Sequence, residues 1–488
     1  MIRLSLAQIA TITDADLDRV ADPGVAVTGP VVIDSRRAAP GSLFAALRGE
    51  RADGHDFAAA AMGAGAVAVL ATRPVGAPAL IVPDVPAALA RLAQAAAHRL
   101  RGLTVAGITG SAGKTTTKDL TAQLAERLGP TVAPEGSFNN ELGHPLTVLL
   151  ADERTRYLIL ELSARGPGHI SRLAEIAPPR LGAVLNVGRA HLGEFGGQAA
   201  VARAKGELVE ALPADGVAVL NADDPQVAAM AARTRARVVP FGQSAAALVR
   251  ATGVAVDGDG RPAFTLVTPE GAAPVRLRLR GAHNVPNALA AAALAREFGM
   301  PADAVADGLS AAVARSRWRM EATERPDGVL VINDAYNASP EAMAAALASL
   351  RAMTGGGPPP PGPQRRPGTP RRRGFAVLGH MAELGEASAA VHEEVGALAA
   401  RSGVTALVVV GDEAAPILAG AKGEPGWQGD LVHVPDPQTA VHAISGLLAP
   451  GDVVLVKASR AAGLEQVALA LIGQVPTPQA HRPGEVAR

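Results

Sequence analysis

The chain lacks cysteine and has few aromatic residues. Its 488 residues include no Cys, and Phe, Trp and Tyr together make up 2%. The absence of Cys excludes a disulfide framework, a thiolate zinc site and a cysteine nucleophile, and it agrees with a reducing compartment. Because 48% of the residues are hydrophobic, the cores must be built from Ala, Val and Leu, which suits helices packed on sheets.

A net charge and long apolar runs are missing as well. The 46 Lys and Arg residues balance 46 Asp and Glu residues, so the overall charge favours neither nucleic acid nor an anionic membrane as a partner. No apolar run approaches the roughly 18 residues that a membrane-spanning helix needs, and acidic residues occur near the start. We therefore expect a soluble, cytoplasmic protein that inserts into no membrane and binds no nucleic acid.

Short apolar runs alternate with Ala-rich stretches along the chain. We predict strands at 67–70, 104–108, 157–160, 183–187, 217–220, 329–332 and 375–378, and helices at 87–100, 119–128 and 286–298. This rhythm is typical of an α/β protein with a parallel sheet and helices on both faces. At roughly 100 to 200 residues per domain, the length predicts two to four domains. We place the boundaries where a helical stretch gives way to a new strand, which divides the chain into 1–101, 102–314 and 315–488.

Two segments have a composition that cannot form a packed core. Residues 354–374 read TGGGPPPPGPQRRPGTPRRRG, with five Arg, no acid and no apolar periodicity. We expect a flexible insertion between a helix and a strand, and the alternative is a polybasic interaction site. Residues 476–488 have the same character and are expected to form a frayed tail.

The strongest motif is a glycine-rich loop between a predicted strand and a predicted helix. Residues 109–115 read TGSAGKT, the variant T-G-x-x-G-K-T of a phosphate-binding loop. Glycines allow backbone N–H groups to approach phosphate oxygens, Lys114 supplies positive charge, and the Thr115 hydroxyl can bind magnesium. No Asn in the chain is followed by Lys, so the N-K-x-D element of guanine specificity is missing and ATP is the expected nucleotide.

Further polar residues follow the next predicted strands, where an open α/β sheet binds its ligands. Glu161 follows one strand as a possible magnesium ligand, with a surface acid as the alternative. His191 follows another strand, and Lys205 lies on the next helix; taken singly, a structural histidine and a solvated lysine are the simpler interpretations. Asn139 and Asn140 in GSFNNELGHP are either site residues or turn residues.

In their order, these motifs resemble the Mur ligase family over nearly the whole chain. The central ones are TGSAGKT, SFNNELGHPLT, ELSARGPGHI, NVGRAHL, AKGE and GAHNVPNALAA; the front one is VIDSRRAAPGSLFAALRGE; the rear ones are NDAYNASPEAM, VLGHMAELGE and DVVLVKASR. The resemblance implies three domains: a domain that binds the uridine diphosphate of the substrate, a central P-loop ATPase domain and a Rossmann-like C-terminal domain.

The activity implied by the resemblance is ATP-dependent ligation of D-alanyl-D-alanine to UDP-MurNAc-tripeptide in peptidoglycan precursor synthesis. A substrate carboxylate takes the γ-phosphate of ATP, and the amine of the dipeptide then displaces phosphate from the acyl phosphate. Whether the third residue of the tripeptide is diaminopimelate or lysine stays open. We further expect a monomer whose partners are these small molecules.

The resemblance also assigns roles to individual residues. The expected catalytic residues are Lys114, Glu161, His191 and Lys205, and the expected ATP-binding residues are Thr109, Gly110, Ser111, Ala112, Gly113, Lys114, Thr115, Thr116, Asn284, Arg319 and Asp334. Two Mg²⁺ sites would use Thr115, Glu161, His191 and Lys205, the last as a carbamate formed with CO₂, because an ammonium cannot bind a cation. Asn140 would polarise the same cluster.

The remaining implied roles concern the substrates. Ser35 and Arg36 would bind the uridine diphosphate, since the guanidinium suits a pyrophosphate. Tyr336 and Asn337 are candidates for the dipeptide pocket. Asn284 is the expected adenine contact, whereas Asn287 could equally cap its helix.

Three residues depart from the family pattern, and other functions remain possible. Ala458 replaces a glycine, Ser163 stands where glycine is common, and His380 stands where an acid is usual. A ligase that adds a single amino acid is one alternative function. A nucleotide-binding regulator or scaffold is another, although a metal constellation would be needless for binding alone.

Overall fold

A computed structural model describes residues 1–49, 52–134, 136–164, 166–188, 197–355 and 372–474. Strands and helices alternate through most of these ranges, as the apolar rhythm predicts. Within them, no helix has the length and apolar character needed to cross a bilayer. His191, most of the predicted insertion and the predicted tail 476–488 lie outside the described residues.

The first part of the chain forms two small sheets and three helices. Its elements are β1 (Leu4–Ser5), α1 (Leu6–Thr13), β2 (Asp16–Asp18), β3 (Ala26–Val27), β4 (Val31–Val32), β5 (Leu43–Ala45), α2 (Ala58–Gly63), β6 (Ala68–Ala71), β7 (Ala79–Ile81) and α3 (Val85–Arg99). The larger sheet has the order β2-β7-β6-β5-β4, and β1 pairs with β3. Strands β4 to β7 are parallel, and β2 is an antiparallel edge.

The middle part is built on a sheet of nine strands. Its elements are β8 (Thr104–Thr109), α4 (Lys114–Glu126), β9 (Thr131–Val132), α5 (Gly143–Val148), β10 (Tyr157–Glu161), α6 (His169–Ile176), β11 (Leu181–Val184), α7 (Gln198–Glu210), β12 (Val217–Asn221), α8 (Pro225–Ala228), β13 (Arg237–Gly242), β14 (Val249–Val256), β15 (Pro262–Thr268), β16 (Gly271–Arg276), α9 (Asn284–Glu297) and α10 (Ala302–Ala311). The order is β16-β15-β14-β13-β12-β11-β8-β10-β9.

The topology of this sheet creates a binding crevice beside β8. The chain passes from β8 towards β9 and β10 on one side, and then returns to β11 and β12 on the other. The carboxyl ends of β8 and its two neighbours therefore face a point where the strand order reverses, which is the usual ligand position of an open α/β sheet. Apolar side chains bury both faces of the sheet beneath helices.

The last part forms a six-stranded sheet with helices on both faces. Its elements are β17 (Glu321–Glu324), β18 (Leu330–Asn333), α11 (Pro340–Thr354), β19 (Gly374–Leu378), α12 (Ser388–Arg401), β20 (Ala406–Val410), α13 (Pro416–Lys422), β21 (Asp430–Val434), α14 (Pro437–Ser445), β22 (Val453–Lys457) and α15 (Glu465–Leu471). The order is β17-β18-β22-β19-β20-β21. This parallel arrangement, apart from antiparallel β17, is the predicted Rossmann-like architecture.

Several predictions about local structure need correction. The strand predicted at 183–187 ends at Val184, because residues 185–188 leave the ladder and contact the glycine-rich turn. The predicted sheet is parallel, whereas the three-stranded unit β14–β15–β16 and the edge strands β2 and β17 pair in the antiparallel sense. Thr354 still belongs to α11, and Gly374 opens β19. Each large sheet lies within one predicted segment, and the boundaries 101 and 314 stay a prediction.

The close packing of helices α12 and α13 on the six-stranded sheet can be tested by its effect on stability. A Cβ atom on Gly396 of α12 would lie 1.9 Å from the carbonyl oxygen of Ile417 in α13, whereas one on Gly446 meets nothing within 4 Å. We expect Gly396→Ala to lower the free energy of unfolding by about 1–3 kcal/mol through overpacking. Gly446→Ala is the matched control and should change it little, as measured by chemical denaturation. Equal effects of the two variants would contradict this packing.

Candidate nucleotide site

The turn between β8 and α4 forms the first wall of the site. Gly113 has a left-handed φ of +82°, and a Cβ atom there would lie 2.2 Å from Oδ1 of Asn287. Glycine alone satisfies both constraints. Lys114 opens α4, and its Nζ donates a hydrogen bond to the Gly110 carbonyl at 2.8 Å. The turn thus offers backbone N–H groups and a lysine to the oxygens of a phosphate chain.

An asparagine that sequence reasoning missed holds this turn in shape. Asn186 Oδ1 accepts a hydrogen bond from the Ala112 N–H at 2.8 Å, and its Nδ2 donates to the Ala112 carbonyl at 3.1 Å. Ser111 Oγ accepts from the Gly188 N–H at 2.8 Å. Asn186 and Gly188 belong to the motif NVGRAH, from which the sequence analysis takes only the histidine as a candidate. The available signal was a polar amide just beyond a buried strand.

A buried cluster of oxygen atoms lies beside the lysine. Thr115 Oγ1 donates to Glu161 Oε2 at 2.8 Å, and Asn139 Nδ2 donates to Glu161 Oε1 at 2.8 Å. Glu161 is only 1% exposed, so the interpretation as a surface acid is wrong. Ser137 Oγ lies 3.1 Å from Thr115 Oγ1. Oδ1 of Asn140 accepts from the Gly143 N–H at 2.8 Å at the start of α5, and Asn140 also lines the cavity.

An arginine from the last part of the chain reaches this cluster. Arg319 Nη2 donates to Ser137 Oγ at 2.8 Å, and its guanidinium carbon lies 4.2 Å from the centroid of the Tyr336 ring. Lys114 and Arg319 are close enough for Arg319 to lower the pKa of Lys114, although burial of the ammonium lowers this pKa more. The carboxylates of Glu161 and Glu383 act in the opposite direction and raise this pKa. Lys114 and Arg319 thus bring two cations to one space, where an anionic ligand can contact both.

Asp334 is held by a buried lysine. Lys457 Nζ lies 2.7 Å from Asp334 Oδ2 and 2.9 Å from the Asn337 carbonyl, and Asp334 Oδ1 accepts from the Met320 N–H at 3.0 Å. Lys457 is 2% exposed. The sequence analysis used its motif, DVVLVKASR, for the family resemblance and for Ala458, but assigned no role to Lys457. The lysine fixes Asp334 and Asn337 on the cavity wall.

These walls enclose a cavity of about 1550 Å³ between the middle and last sheets. The predicted residues that line it are Ser111, Ala112, Gly113, Lys114, Thr115, Thr116, Glu161, Asn284, Arg319, Asp334, Tyr336 and Asn337. Thr109, Gly110 and Lys205 are buried residues outside this lining. The structure thus brings most of the predicted nucleotide residues together, and His191 lies outside the described residues.

Lys205 on α7 is 5% exposed, so its interpretation as a solvated lysine is wrong. Burial, followed by the positive charge of Lys114, lowers its pKa to about 7. Both effects disfavour the ammonium form. A substantial fraction of this amine is therefore uncharged near neutral pH.

The two asparagines at the start of α9 contact each other. Asn287 Nδ2 donates to Asn284 Oδ1 at 3.1 Å, and Asn284 Nδ2 donates to the Arg280 carbonyl at 2.7 Å. The Asn287 side chain does not cap the helix. Asn287 lies inside α9, and its side-chain amide contacts Asn284 of the same helix and the turn at Gly113. Asn284 lines the cavity, as an adenine contact would.

The predicted uridine diphosphate residues lie in the first part of the chain, outside this cavity lining. Arg36 Nε and Nη2 donate to the two carboxylate oxygens of Asp34 at 2.9 and 2.7 Å, and this contact holds the pKa of Asp34 below its usual range. Ser35 and Arg36 share a short 3₁₀ turn that Asp34 caps. The Arg36 side chain is 66% exposed, which leaves its other donors open to a ligand.

The departures from the family pattern fit their surroundings. A Cβ atom on Gly379 would lie 2.9 Å from Ala458 Cβ, so the glycine opposite makes room for the alanine. Ser459 Oγ still accepts from the Ala382 N–H at 2.8 Å. The ring of His380 stacks on that of His392 at a centroid distance of 5.1 Å. These contacts keep the loop before α12 against the cavity.

A glycine-rich turn at a switch point, faced by an arginine from a second α/β sheet, defines a P-loop protein whose site lies between domains. Three family models match in order: "Mur ligase family, catalytic domain" at 30–98, "Mur ligase middle domain" at 108–295 and "Mur ligase, glutamate ligase domain" at 318–460. The chain belongs to the Mur ligase family.

Individual relatives agree with this assignment. A UDP-N-acetylmuramoyl-tripeptide–D-alanyl-D-alanine ligase of Mycobacterium tuberculosis is 49% identical over 97% of this chain and 98% of its own length. A crystal structure of MurF from Acinetobacter baumannii superposes with a TM-score of 0.83 at 30% identity, covering 97% and 99% of the two chains. MurF from Thermotoga maritima, solved with ADP, has a TM-score of 0.76 at 29% identity, with coverage of 92% and 98%.

The left-handed turn at Gly113 generates a binding test. In Gly113→Ala, strain at positive φ and the clash with Asn287 should reduce the affinity for ADP at least about tenfold, or ~1.4 kcal/mol. Isothermal titration calorimetry measures the affinity. Gly102→Ala is the control, because a Cβ atom there meets nothing within 4 Å. Unchanged ADP affinity in Gly113→Ala would show that this turn does not hold the phosphates.

Proposed function

We propose that this chain joins D-alanyl-D-alanine to UDP-MurNAc-tripeptide with ATP, giving UDP-MurNAc-pentapeptide, ADP and phosphate in the cytoplasm. The observation that carries the proposal is the contact of Arg319 with Ser137 beside Thr115 and Glu161. It joins a phosphate turn and a separate α/β sheet around one cavity, which suits a reaction between a nucleotide and a peptide. The activity named for the relatives agrees with this arrangement.

The first step transfers the γ-phosphoryl group to a substrate carboxylate. A carboxylate oxygen forms the new bond to phosphorus, the bond to the β-phosphate oxygen breaks, and ADP leaves. Lys114 and Arg319 stabilise the negative charge on the phosphoryl oxygens, because both cations face the same cavity. The turn from Ser111 to Gly113 keeps the phosphates aligned through its N–H groups.

The second step forms the amide bond. The uncharged amine of the dipeptide attacks the carbonyl carbon of the acyl phosphate, the nitrogen loses one proton, and inorganic phosphate leaves from the tetrahedral intermediate. Tyr336 and Asn337 are our candidates for the dipeptide pocket, since both line the cavity beside Arg319. Ser35 and Arg36 are our candidates for binding the uridine diphosphate at the other end of the long substrate.

The residues beside Lys114 fit a magnesium ion. Mg²⁺ prefers oxygen ligands and usually takes one or two carboxylates, keeping several waters. The Thr115 hydroxyl and the Glu161 carboxylate, 2.8 Å apart, offer such a set, although the described ranges contain no group of three or more His, Asp or Glu side chains that could hold a metal ion. When bound, the ion would neutralise charge on the phosphates.

A second magnesium site is part of the proposal and depends on Lys205 and His191. The buried amine of Lys205, with a pKa of about 7, is nucleophilic enough to add to CO₂ and become an anionic carbamate, with release of one proton. Burial and repulsion by Lys114 support this chemistry because both favour the neutral amine.

Turnover tests the proposed reaction directly. Phosphate release should require Mg²⁺, ATP, UDP-MurNAc-tripeptide and D-alanyl-D-alanine together. Lys114→Ala should lower kcat at least about 10³-fold, since it removes charge stabilisation from the transition state. Release with a single amino acid in place of the dipeptide would identify the related ligase instead. Binding of ATP without turnover of any combination would favour a regulator.

The carbamate has a separate test. Lys205→Ala should lose most activity, and added bicarbonate should not restore it, because the variant has no amine to modify. Wild-type protein in ¹³C-bicarbonate should show a carbamate carbon signal by NMR, absent from the variant. Full activity of Lys205→Ala would return this lysine to a structural role.

A further inference from the structure

Three side chains on one face of helix α4 form hydrogen bonds and an ion pair with residues 313–316, the linker that leads to Arg319. Gln123 exchanges two hydrogen bonds of 3.0 Å with the backbone of Val313, and Glu126 forms a bidentate ion pair with Arg315 at 2.5 and 2.6 Å. Asp119 Oδ2 accepts from the Ser316 hydroxyl at 2.6 Å and from its N–H at 3.1 Å. The spacing i, i+4, i+7 places all three on one helical stripe.

The contact made by Asp119 outweighs the other two. Glu126 and Arg315 are each 42% exposed, and exposed ion pairs contribute little. Asp119 and Ser316 are 8% and 9% exposed. A buried carboxylate with charge-assisted hydrogen bonds cannot exchange them for water, so its removal is costly.

The same carboxylate is tied to the loop that carries Ser137. Lys118 is 1% exposed, and its Nζ lies 2.6 Å from Asp119 Oδ1. It also donates to the carbonyls of Pro134 and Gly136 at 2.6 and 3.2 Å. One ion pair on α4 thus holds Pro134 and Gly136 on one side and Ser316 on the other. Ser137 and Arg319, which follow in these two segments, are joined by a hydrogen bond.

Beyond Ser316 the backbone leaves few alternatives for Arg319. Trp318 and Met320 flank it with left-handed φ values of 58° and 53°, which residues with side chains rarely adopt without tertiary support. The Trp318 N–H donates to Glu321 Oε2 at 2.9 Å, and the Met320 N–H donates to Asp334. Arg319 is therefore anchored downstream by the last sheet and upstream by Asp119.

We infer that Asp119 is a positioning residue that acts through Arg319: with Lys118, it sets the guanidinium beside the transferred phosphoryl group. This inference rests on the proposed ligase activity. Helix α4, which begins at the phosphate turn, would then also support Arg319 on the opposite wall. This support would keep the distance between Lys114 and Arg319 constant.

A double-mutant cycle separates this role from a merely structural one. Asp119→Asn should lower kcat about tenfold while leaving the Kd for ADP within about twofold, because phosphate binding by the turn is intact. In the Arg319→Lys variant, the guanidinium that contacts Ser137 is gone. In this background, Asp119→Asn should therefore lower kcat by less than about twofold.

The controls keep the outcomes distinct. Glu270→Gln also replaces an ion-paired carboxylate by an amide, at the contact with Arg296 of α9 outside the cavity lining, and should leave kcat unchanged. If Asp119→Asn fails to fold, Ser316→Ala replaces it, since it removes only the hydroxyl contact. Unchanged kcat in the single variant, or an equal loss in both backgrounds, would overturn the inference. A wild-type protein without turnover would instead refute the proposed function.

Discussion

The site depends on the alignment of β8 and β10, which brings Thr115 and Glu161 within hydrogen-bonding distance. The hydroxyl comes from the first turn of α4, and the carboxylate comes from the end of the neighbouring strand β10. They meet because β8 and β10 are parallel and in register, with Glu161 opposite Ile108. Asn139 and Ser137 complete the cluster, and Arg319 closes it from another sheet. A shift of either strand would separate all of these groups.

Burial of lysine is the second constraint, and the chain meets it in different ways. Lys118 and Lys457 each have a carboxylate partner and backbone carbonyls within hydrogen-bonding distance, so their charges are compensated. Among the described residues, no carboxylate raises the pKa of Lys205, and burial followed by the charge of Lys114 lowers this pKa to about 7. The partners of Lys118 and Lys457 thus distinguish these two lysines from Lys205. Sequence spacing does not reveal those partners.

Much of the architecture could be predicted from apolar rhythm, because buried parallel strands such as 157–160 are continuous apolar runs between Ala-rich helices. The antiparallel hairpin β14–β15–β16 could not, since its pairing depends on non-local registers. The phosphate turn could be predicted because the pattern T-G-x-x-G-K-T is typical of phosphate-binding loops. Asn186, Ser137 and Asp119 escaped notice, because a single Asn, Ser or Asp is usually a turn or surface residue.

The amino-acid sequence by itself determined the α/β class, the phosphate turn at 109–115 and the likeness to the Mur ligases, because these depend on local patterns and motif order. The tertiary structure alone decided that Asn139 contacts Glu161, that Lys457 pairs with Asp334, and that Arg319 lies beside Ser137. Those contacts join residues 22 to 182 positions apart. Chain folding brings such residues together through the register of strands and the packing of sheets, which no local pattern encodes.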